Sequence, residues 1–403
     1  MMAESQRSKD KNKHMDIIEV NSRRSKKAFH EVGRIIYKND PVWVCPLDKE
    51  VEAIFDPGRN VYFKHGEAAR WLLYDGENRL IGRVAAFIDR NLAFKQDQPT
   101  GGMGFFECIS DRQAAFLLFD TARDWLKDRG MQAMDGPVNF GETDKYWGLL
   151  VDGFTQPCYE IAYNHPYYQE LYESYGFQTY YNQEGFHLDL TRELPPKFRN
   201  IAEWVAKKPG YSFRHFEWKN AEKFIADFAE VFNVAWASFK EHFEPLEPAY
   251  IKKTLQKARA IIEEEFIWIA YHNDQPIAIY LMYPDVNQIL VKLNGRLNLP
   301  AMLKFLYLRK KKTMTRARGV LMGVIPKFQN LGIESAMALH VADAMSKKPH
   351  YTEIEFSWVA DFNPKMRRIW LAIGAAPAKN YKTYRYLFDR NKPFKRYPIP
   401  ERY

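Results

Sequence analysis

The stretch Gly319–His340, GVLMGVIPKFQNLGIESAMALH, decides how the rest of the chain is read. It opens as an apolar run, Val320 to Ile325, with Gly323 inside it, and Pro326 stops it. A polar turn follows, Lys327-Phe328-Gln329-Asn330-Leu331-Gly332. Then Ile333, Ala336, Met337, Val341 and Ala344 recur at spacings of three and four, the period of a helix with one apolar face. Strand, glycine turn and helix in that order bring unpaired backbone N–H groups and the positive end of a helix dipole to one point. Such a point favours an anion, a phosphate above all. Gly323 within the strand predicts a bulge or a close backbone approach.

The spacing Q-x-x-G-x-E, placed directly after a strand ending V-I-P, resembles the pyrophosphate signature of the GNAT superfamily of acyl-CoA N-acyltransferases. That signature reads Q/R-x-x-G-x-G/A, so Glu334 departs from it at the last position. The resemblance implies that Val324, Ile325, Gln329, Asn330, Gly332, Ile333 and Glu334 hold acetyl-CoA or another acyl-CoA as cosubstrate.

Working outward, the chain repeats itself. Ala69–Tyr74, the turn Asp75–Asn78 and Leu80–Ile88 read as a β-hairpin, and Phe266–Tyr271, His272–Gln275 and Ile277–Met282 read as a second. Tyr74 and Tyr271, which end the two first strands, lie 197 residues apart. Gly104–Ile109 is a further strand, and Asp111–Arg129 an amphipathic helix stopped by Gly130. Asn164–Phe177 is a short helix ended by Gly176, and Asn363–Ala375 matches it, ended by Gly374, 198 residues on. Two landmarks at nearly one offset predict tandem copies of a single fold. The expected division is a basic, disordered tail over 1–24, one domain over 25–195 and another over 196–403, joined where Pro195, Pro196 and Pro209 cluster. Each copy is then an α/β unit of GNAT type: a mixed, mostly antiparallel twisted sheet flanked by helices.

The second landmark extends the resemblance. In GNAT proteins an Asn-Pro opening such as Asn363-Pro364 helps hold the pantetheine arm, and an aromatic four residues before the glycine is commonly a Tyr that protonates the leaving thiolate. The first copy has Tyr172 there, but its strand runs into Ser110-Asp111-Arg112-Gln113 without a glycine. The second copy has the glycine turn and carries Trp370 in the tyrosine place. An indole N–H cannot deliver a proton as a phenol does. Acyl-CoA is therefore expected on the second copy, with another acid in Tyr172's role. Tyr381, Tyr384 and Tyr386 stand in the last strand, and Tyr384 is the first choice. Glu353 and Glu355 are candidate bases, and a backbone N–H at Gly323-Val324 is a candidate oxyanion donor.

The formal charge of +9 suits coenzyme A, nucleic acid or an anionic membrane surface. The run Arg309–Lys312, with Arg316 and Arg318, adds to it after the apolar segment Leu299–Leu308. Three distant cysteines, Cys45, Cys108 and Cys158, with no C-x-x-C and no H-E-x-x-H, indicate neither a disulfide framework nor a metal site. No apolar run reaches the length of a membrane span, and no secretory signal opens the chain, so a cytoplasmic protein is expected. The reading is an acyl-CoA-dependent N-acyltransferase, acetyl transfer being the expected reaction, with a small-molecule or peptide amine as acceptor and no nucleic-acid partner. Two alternatives stand beside it: a non-catalytic CoA-binding or scaffolding protein, favoured by Trp370 and Glu334, and a Fem-type aminoacyl transferase, disfavoured by the phosphate turn.

Overall fold

The computed structural model describes residues 14–237 and 245–399. In chain order the first half runs β1 (Asp16–Glu19), α1 (Arg23–Ile36), α2 (Asp48–Ile54), β2 (Gly66–Tyr74), β3 (Leu80–Asp89) and β4 (Thr100–Cys108). It continues with α3 (Arg112–Lys127), β5 (Ala133–Gly136), β6 (Leu149–Asp152), α4 (Tyr168–Tyr175) and β7 (Gln178–Asp189). The second half runs α5 (Pro196–Ala206), β8 (Tyr211–His215), α6 (Ala221–Ala237), α7 (Pro248–Ala258), β9 (Ile267–His272) and β10 (Gln275–Pro284). Then come α8 (Asn287–Leu290), α9 (Leu299–Lys310), β11 (Arg316–Val324), α10 (Ile333–Ser346), β12 (Glu353–Ala360), α11 (Pro364–Ala372) and β13 (Ala376–Leu387).

Local chemistry sets these boundaries. Ser22 and Ser25 close a capping box at the start of α1, and the Asp111 carboxylate accepts from Ala114 N–H at the start of α3. In the β2–β3 hairpin Asp75 accepts from the N–H groups of Glu77 and Arg79, which fixes the turn. Gly176 ends α4 at φ 110°, a left-handed value that glycine adopts without strain.

Among the described residues all thirteen strands join one sheet, ordered β1-β2-β3-β4-β5-β13-β7-β12-β11-β10-β9-β8, with β6 against β13. Of these pairings β4/β5 and β11/β12 are parallel and the others antiparallel. The two halves exchange their last strands. β7 leaves the first half to pair with β12, and β13 enters the first half against β5. Each half is thus completed by the other. In the first half α1 and α2 cover one face and α3 and α4 the other. In the second, α6 and α7 cover one face, and α5, α10 and α11 the other.

A buried ionic chain spans the exchanged strands. Arg316 on β11 donates to Asp285 at 2.7 Å and to Glu355 on β12 at 3.3 Å. Lys379 on β13 reaches Glu355 across β7 at 2.6 Å. Arg318, fully buried, donates to the Tyr159 carbonyl, to Tyr283 Oη at 2.7 Å and to the Asp144 carbonyl at 2.9 Å. Arg316 and Arg318 therefore do not continue the basic run of Arg309–Lys312; they are interior struts.

Two further expectations change. Of the tail over 1–24, residues 1–13 lie outside the described residues, but Asp16–Glu19 is a strand paired with β2. The irregularity in β11 falls at Val320, where Leu281 faces Leu321 and Met282 faces Gly319. Gly323 keeps regular register with Ile279, and its missing side chain admits the Trp236 ring instead.

Candidate active site

β11 is paired on both edges only at its start. Its parallel ladder with β12 ends at Gly319↔Phe356, while its ladder with β10 continues to Val324. From Val320 onward the two parallel strands part, and the opening leads to the Gln329–Glu334 turn. Asn330 (φ 63°) and Gly332 (φ 82°) are both left-handed there. A Cβ on Gly332 would also meet Val205 of α5 at 2.9 Å, so the position needs glycine twice over. Among the described residues the backbone N–H groups of 330–334 donate to no protein acceptor. Five successive free donors at the head of α10 form an anion cradle.

Lys365 of α11, which sequence reading passed over, sits against this turn. Its Nζ donates to Gln329 Oε1 at 3.2 Å and lies 3.8 Å from the buried Glu334 carboxylate. The departure at Glu334 is thereby balanced by a cation. Gln329 Nε2 in turn donates to the Val324 carbonyl at 3.0 Å, tying the turn to the strand. Ile333 is buried core, the Ile325 N–H donates to the Ile277 carbonyl, and Asn363 caps its own helix by accepting from Met366 N–H. At the corresponding place in the first half, Asp111 fills the helix N-terminus with its own carboxylate.

Beside the opening lies a narrow cavity of about 10 Å³, lined by Arg318, Phe356, Ser357, Ile161, Cys158 and Tyr381. The Tyr381 hydroxyl is buried and has no hydrogen-bond partner among the described residues. Burial raises its pKa, so it is a phenol at neutral pH. Trp370 stacks on Phe356 at 4.0 Å, its indole N–H also unpartnered.

Tyr384 is elsewhere. The alternation of β13 turns it to the first half's core, where its ring lies 5.6 Å from that of Tyr172 and its hydroxyl donates to Glu173 at 2.8 Å. Strand exchange is the reason: at Tyr384, β13 pairs with Gly136 of β5 and Thr179 of β7. The structure does not bring Tyr384 to the Gln329–Glu334 turn. The candidate bases are likewise engaged, Glu355 by Lys379 and Arg316, Glu353 by His187 at 2.8 Å.

Ile161 also lines a second, larger cleft of about 100 Å³, bounded by the Trp43–Leu47 arm, β4, the Pro157–Asn164 segment and α8. Its walls are mixed, with apolar and aromatic side chains interleaved with Arg83, Glu107, Glu160 and Asn164. The carboxylates of Glu107 and Glu160 line it, and that of Glu50 stands behind the lining residue Tyr159. Glu107 accepts from the Tyr37 and Tyr168 hydroxyls, each at 2.7 Å, and burial raises its pKa. Glu50 of α2 accepts from the Tyr159 hydroxyl through Oε1, while its buried Oε2 has no partner among the described residues. Burial pushes Glu50 up to about 7, against the opposing pull of the Tyr159 hydrogen bond. No spacing announces Glu50, since Tyr159 is 109 residues away. Among the described residues, no cluster of His, Cys, Asp and Glu has the geometry to hold a metal ion.

No family model matches the chain. A "Bacterial ceramide synthase" of Caulobacter vibrioides is 28% identical over 385 residues, covering 93% of this chain and 97% of that protein. "Protein YghO" of Escherichia coli is 26% identical over 365 residues, covering 89% and 92%. Among solved structures, a tandem GNAT protein from the clavulanic acid biosynthesis pathway superposes with a TM-score of 0.55 at 11% identity, over 94% of this chain and all of that one. A GCN5-related N-acetyltransferase from Sphaerobacter thermophilus gives 0.51 at 11% identity, over 95% and 98%. At such identities the likeness speaks for the fold, and the fold is that of the GNAT proteins in tandem form.

Proposed function

We propose that the protein is an acyl-CoA-dependent N-acyltransferase whose donor is held by the second copy and whose acceptor, a long-chain primary amine, enters the cleft of the first. The observation that carries the donor side is the row of free N–H groups at 330–334, backed by Lys365. GNAT folds ordinarily use acyl-CoA, and a bound thioester would supply an activated acyl carbonyl. Asn330, Leu331, Gly332, Ile333 and Glu334 would hold the pyrophosphate through their free backbone donors rather than through Glu334's side chain, with Gln329 bracing the turn.

The acceptor side rests on the larger cleft. An alkyl chain suits the apolar and aromatic part of its lining, and burying it supplies about 0.8 kcal/mol per methylene. The amine must lose its proton before it can attack, and a carboxyl poised near neutrality is suited to take it. Glu50 has that poise and touches the cleft through the Tyr159 hydroxyl that donates to it, and we assign it the role of base, taking the proton by way of Tyr159. Tyr381, whose unpartnered hydroxyl lines the cavity beside the parted strands, replaces Tyr384 as the acid for the leaving thiolate. A ceramide is the amide of a long-chain amino alcohol, so the name of the Caulobacter relative supports this acceptor class. It also favours a long-chain donor over acetyl. Trp370 favours a second reading, a CoA-binding protein without turnover, and Tyr381 is the answer to it.

The test is thiol release from acetyl-CoA and from a long-chain acyl-CoA, each with a long-chain 2-amino alcohol and with a short amine. Turnover that needs the long-chain amine is the expected result. Thermal stabilisation by coenzyme A without turnover on any amine would leave the binding-protein reading in its place.

A further inference from the structure

We propose that the outward face of α9 docks on an anionic lipid surface. This helix is apolar on both sides. Ala301, Phe305 and Leu308 turn inward against the core of the second half. Leu299, Met302, Leu303, Leu306 and Tyr307 turn outward, at spacings i, i+3, i+4, i+7 and i+8, with 45% to 72% of their surface exposed. Single exposed apolar residues are ordinary, but five in one helical stripe make a continuous patch. A helix that must only cover a core has no use for a second apolar face.

The charge around the patch names its occupant. Lys304 lies on the helix and Arg309, Lys310, Lys311 and Lys312 follow at its end. Between Asp285 and Glu334 the chain contains no acidic residue at all. An apolar stripe beside a basic cluster is the pattern of a helix that lies in the plane of a membrane interface, with its lysines at lipid phosphates. Tyr307, with Lys311 Nζ 5.8 Å from its ring centre, suits the boundary between headgroup and chain. Twelve residues of helix reach about 18 Å, short of the roughly 30 Å of hydrocarbon, so α9 would lie on the surface and not cross it. A second copy of the chain is the rival occupant, and it would bring like charges together around the stripe.

The placement also connects with the larger cleft. Asn287 and Leu290 of α8 line that cleft, and α8 packs directly against α9. A surface that seats α9 therefore brings the cleft wall close to the lipid. The docking proposal itself stands on the helix and does not depend on acyl transfer.

The experiment is co-flotation of the full chain with vesicles of phosphatidylcholine alone and of phosphatidylcholine with one quarter phosphatidylglycerol, alongside light scattering of the protein in solution. The protein should float with the anionic vesicles and bind neutral ones roughly tenfold more weakly. Leu303→Glu with Leu306→Glu should cut binding to anionic vesicles by about tenfold or more without lowering Tm, because both side chains are exposed. Replacing Lys310, Lys311 and Lys312 by Gln should weaken it as well and flatten its salt dependence. The proposal fails if the wild type ignores anionic vesicles, or if the double variant floats as well as wild type, which would place the contact elsewhere. It fails equally if the wild type is a dimer that the double variant breaks, with no vesicle binding by either.

Discussion

Glu50→Gln tests the acceptor side through stability as well as activity. The folded protein holds the Glu50 proton up to about pH 7, whereas the unfolded chain releases it near the ordinary value of 4.5. Between those values the folded state binds more protons, so this carboxyl's contribution to stability is fully present below 4.5 and is lost as pH rises through 7. At about 1.36 kcal/mol per pKa unit, the loss between about pH 5 and about pH 8 is roughly 2.5 kcal/mol. Gln keeps the shape and can still accept from the Tyr159 hydroxyl, but it does not titrate. Urea unfolding of both proteins across this range should show the gap between their stabilities widening in the variant's favour by about that amount. The other carboxyls titrate in both proteins and cancel in the difference. If Glu50 is the base, kcat/KM of the wild type rises to a plateau above about pH 7, and the variant loses roughly 10²–10⁴-fold. A gap that stays constant from acid to alkaline pH would refute the reasoning, since Glu50 would then be an ordinary solvated carboxylate.

On the donor side, Gly332→Asp and Lys365→Glu should each abolish thermal stabilisation by coenzyme A, the first by blocking the turn and the second by leaving Glu334 unbalanced, while Arg112→Glu in the first copy leaves it intact. Equal loss from Arg112→Glu would put the nucleotide in the wrong copy. Tyr381→Phe should slow thiol release by roughly 10²–10⁴-fold with little change in CoA affinity, and Tyr384→Phe should change turnover little. The reverse order would return the acid to Tyr384. Lys379→Met strands the Glu355 carboxylate in the interior beside a single remaining cation, and removal of one partner of such a pair costs roughly 3–5 kcal/mol; a midpoint shift in urea well below that would show the carboxylate finding water instead.

Much of this architecture is local and so could be read from the chain. Hairpins declare themselves by alternation around Asp75 and Asn273, helices by period and by caps such as Asp111, and the turn at Gly332 by its place between Pro326 and Ile333. The doubling was visible because Gly176 and Gly374 end matching helices. What could not be read was which strand lies beside which. β13 has the same alternation whether it pairs inside its own copy or with β5, so nothing in Asn380–Phe388 says that Tyr384 belongs to the first half and Tyr381 to the cavity of the second. Arg316 and Arg318 looked like an extension of Arg309–Lys312 because charge runs carry no label of burial; their partners, Asp285 and Tyr159, are supplied from 31 and 159 residues away. Glu50 was silent for the same reason.

The exchange of last strands is also what joins the two sides of the site. With β7 against β12 and β13 against β5, the Pro157–Asn164 segment of the first half is carried over the parted strands of the second. Ile161 then lines the narrow cavity and the larger cleft at once, and Arg318 holds the segment by the Tyr159 carbonyl. Two self-contained copies joined by a linker would have their cavities free to drift apart, and an acceptor in one would not reliably meet a donor in the other. Here the relation is fixed by backbone ladders and by the Glu355–Lys379 pair. It follows that a chain cut between Pro195 and Pro196 should give fragments that each lack the strand closing their sheet. Expressed singly they should be insoluble or unfolded by circular dichroism, and expressed together they should reassemble with the CoA-induced thermal shift restored. A second fragment that folds and binds coenzyme A alone would mean that β7 is dispensable to the donor copy, and the joined-site argument would fall with it.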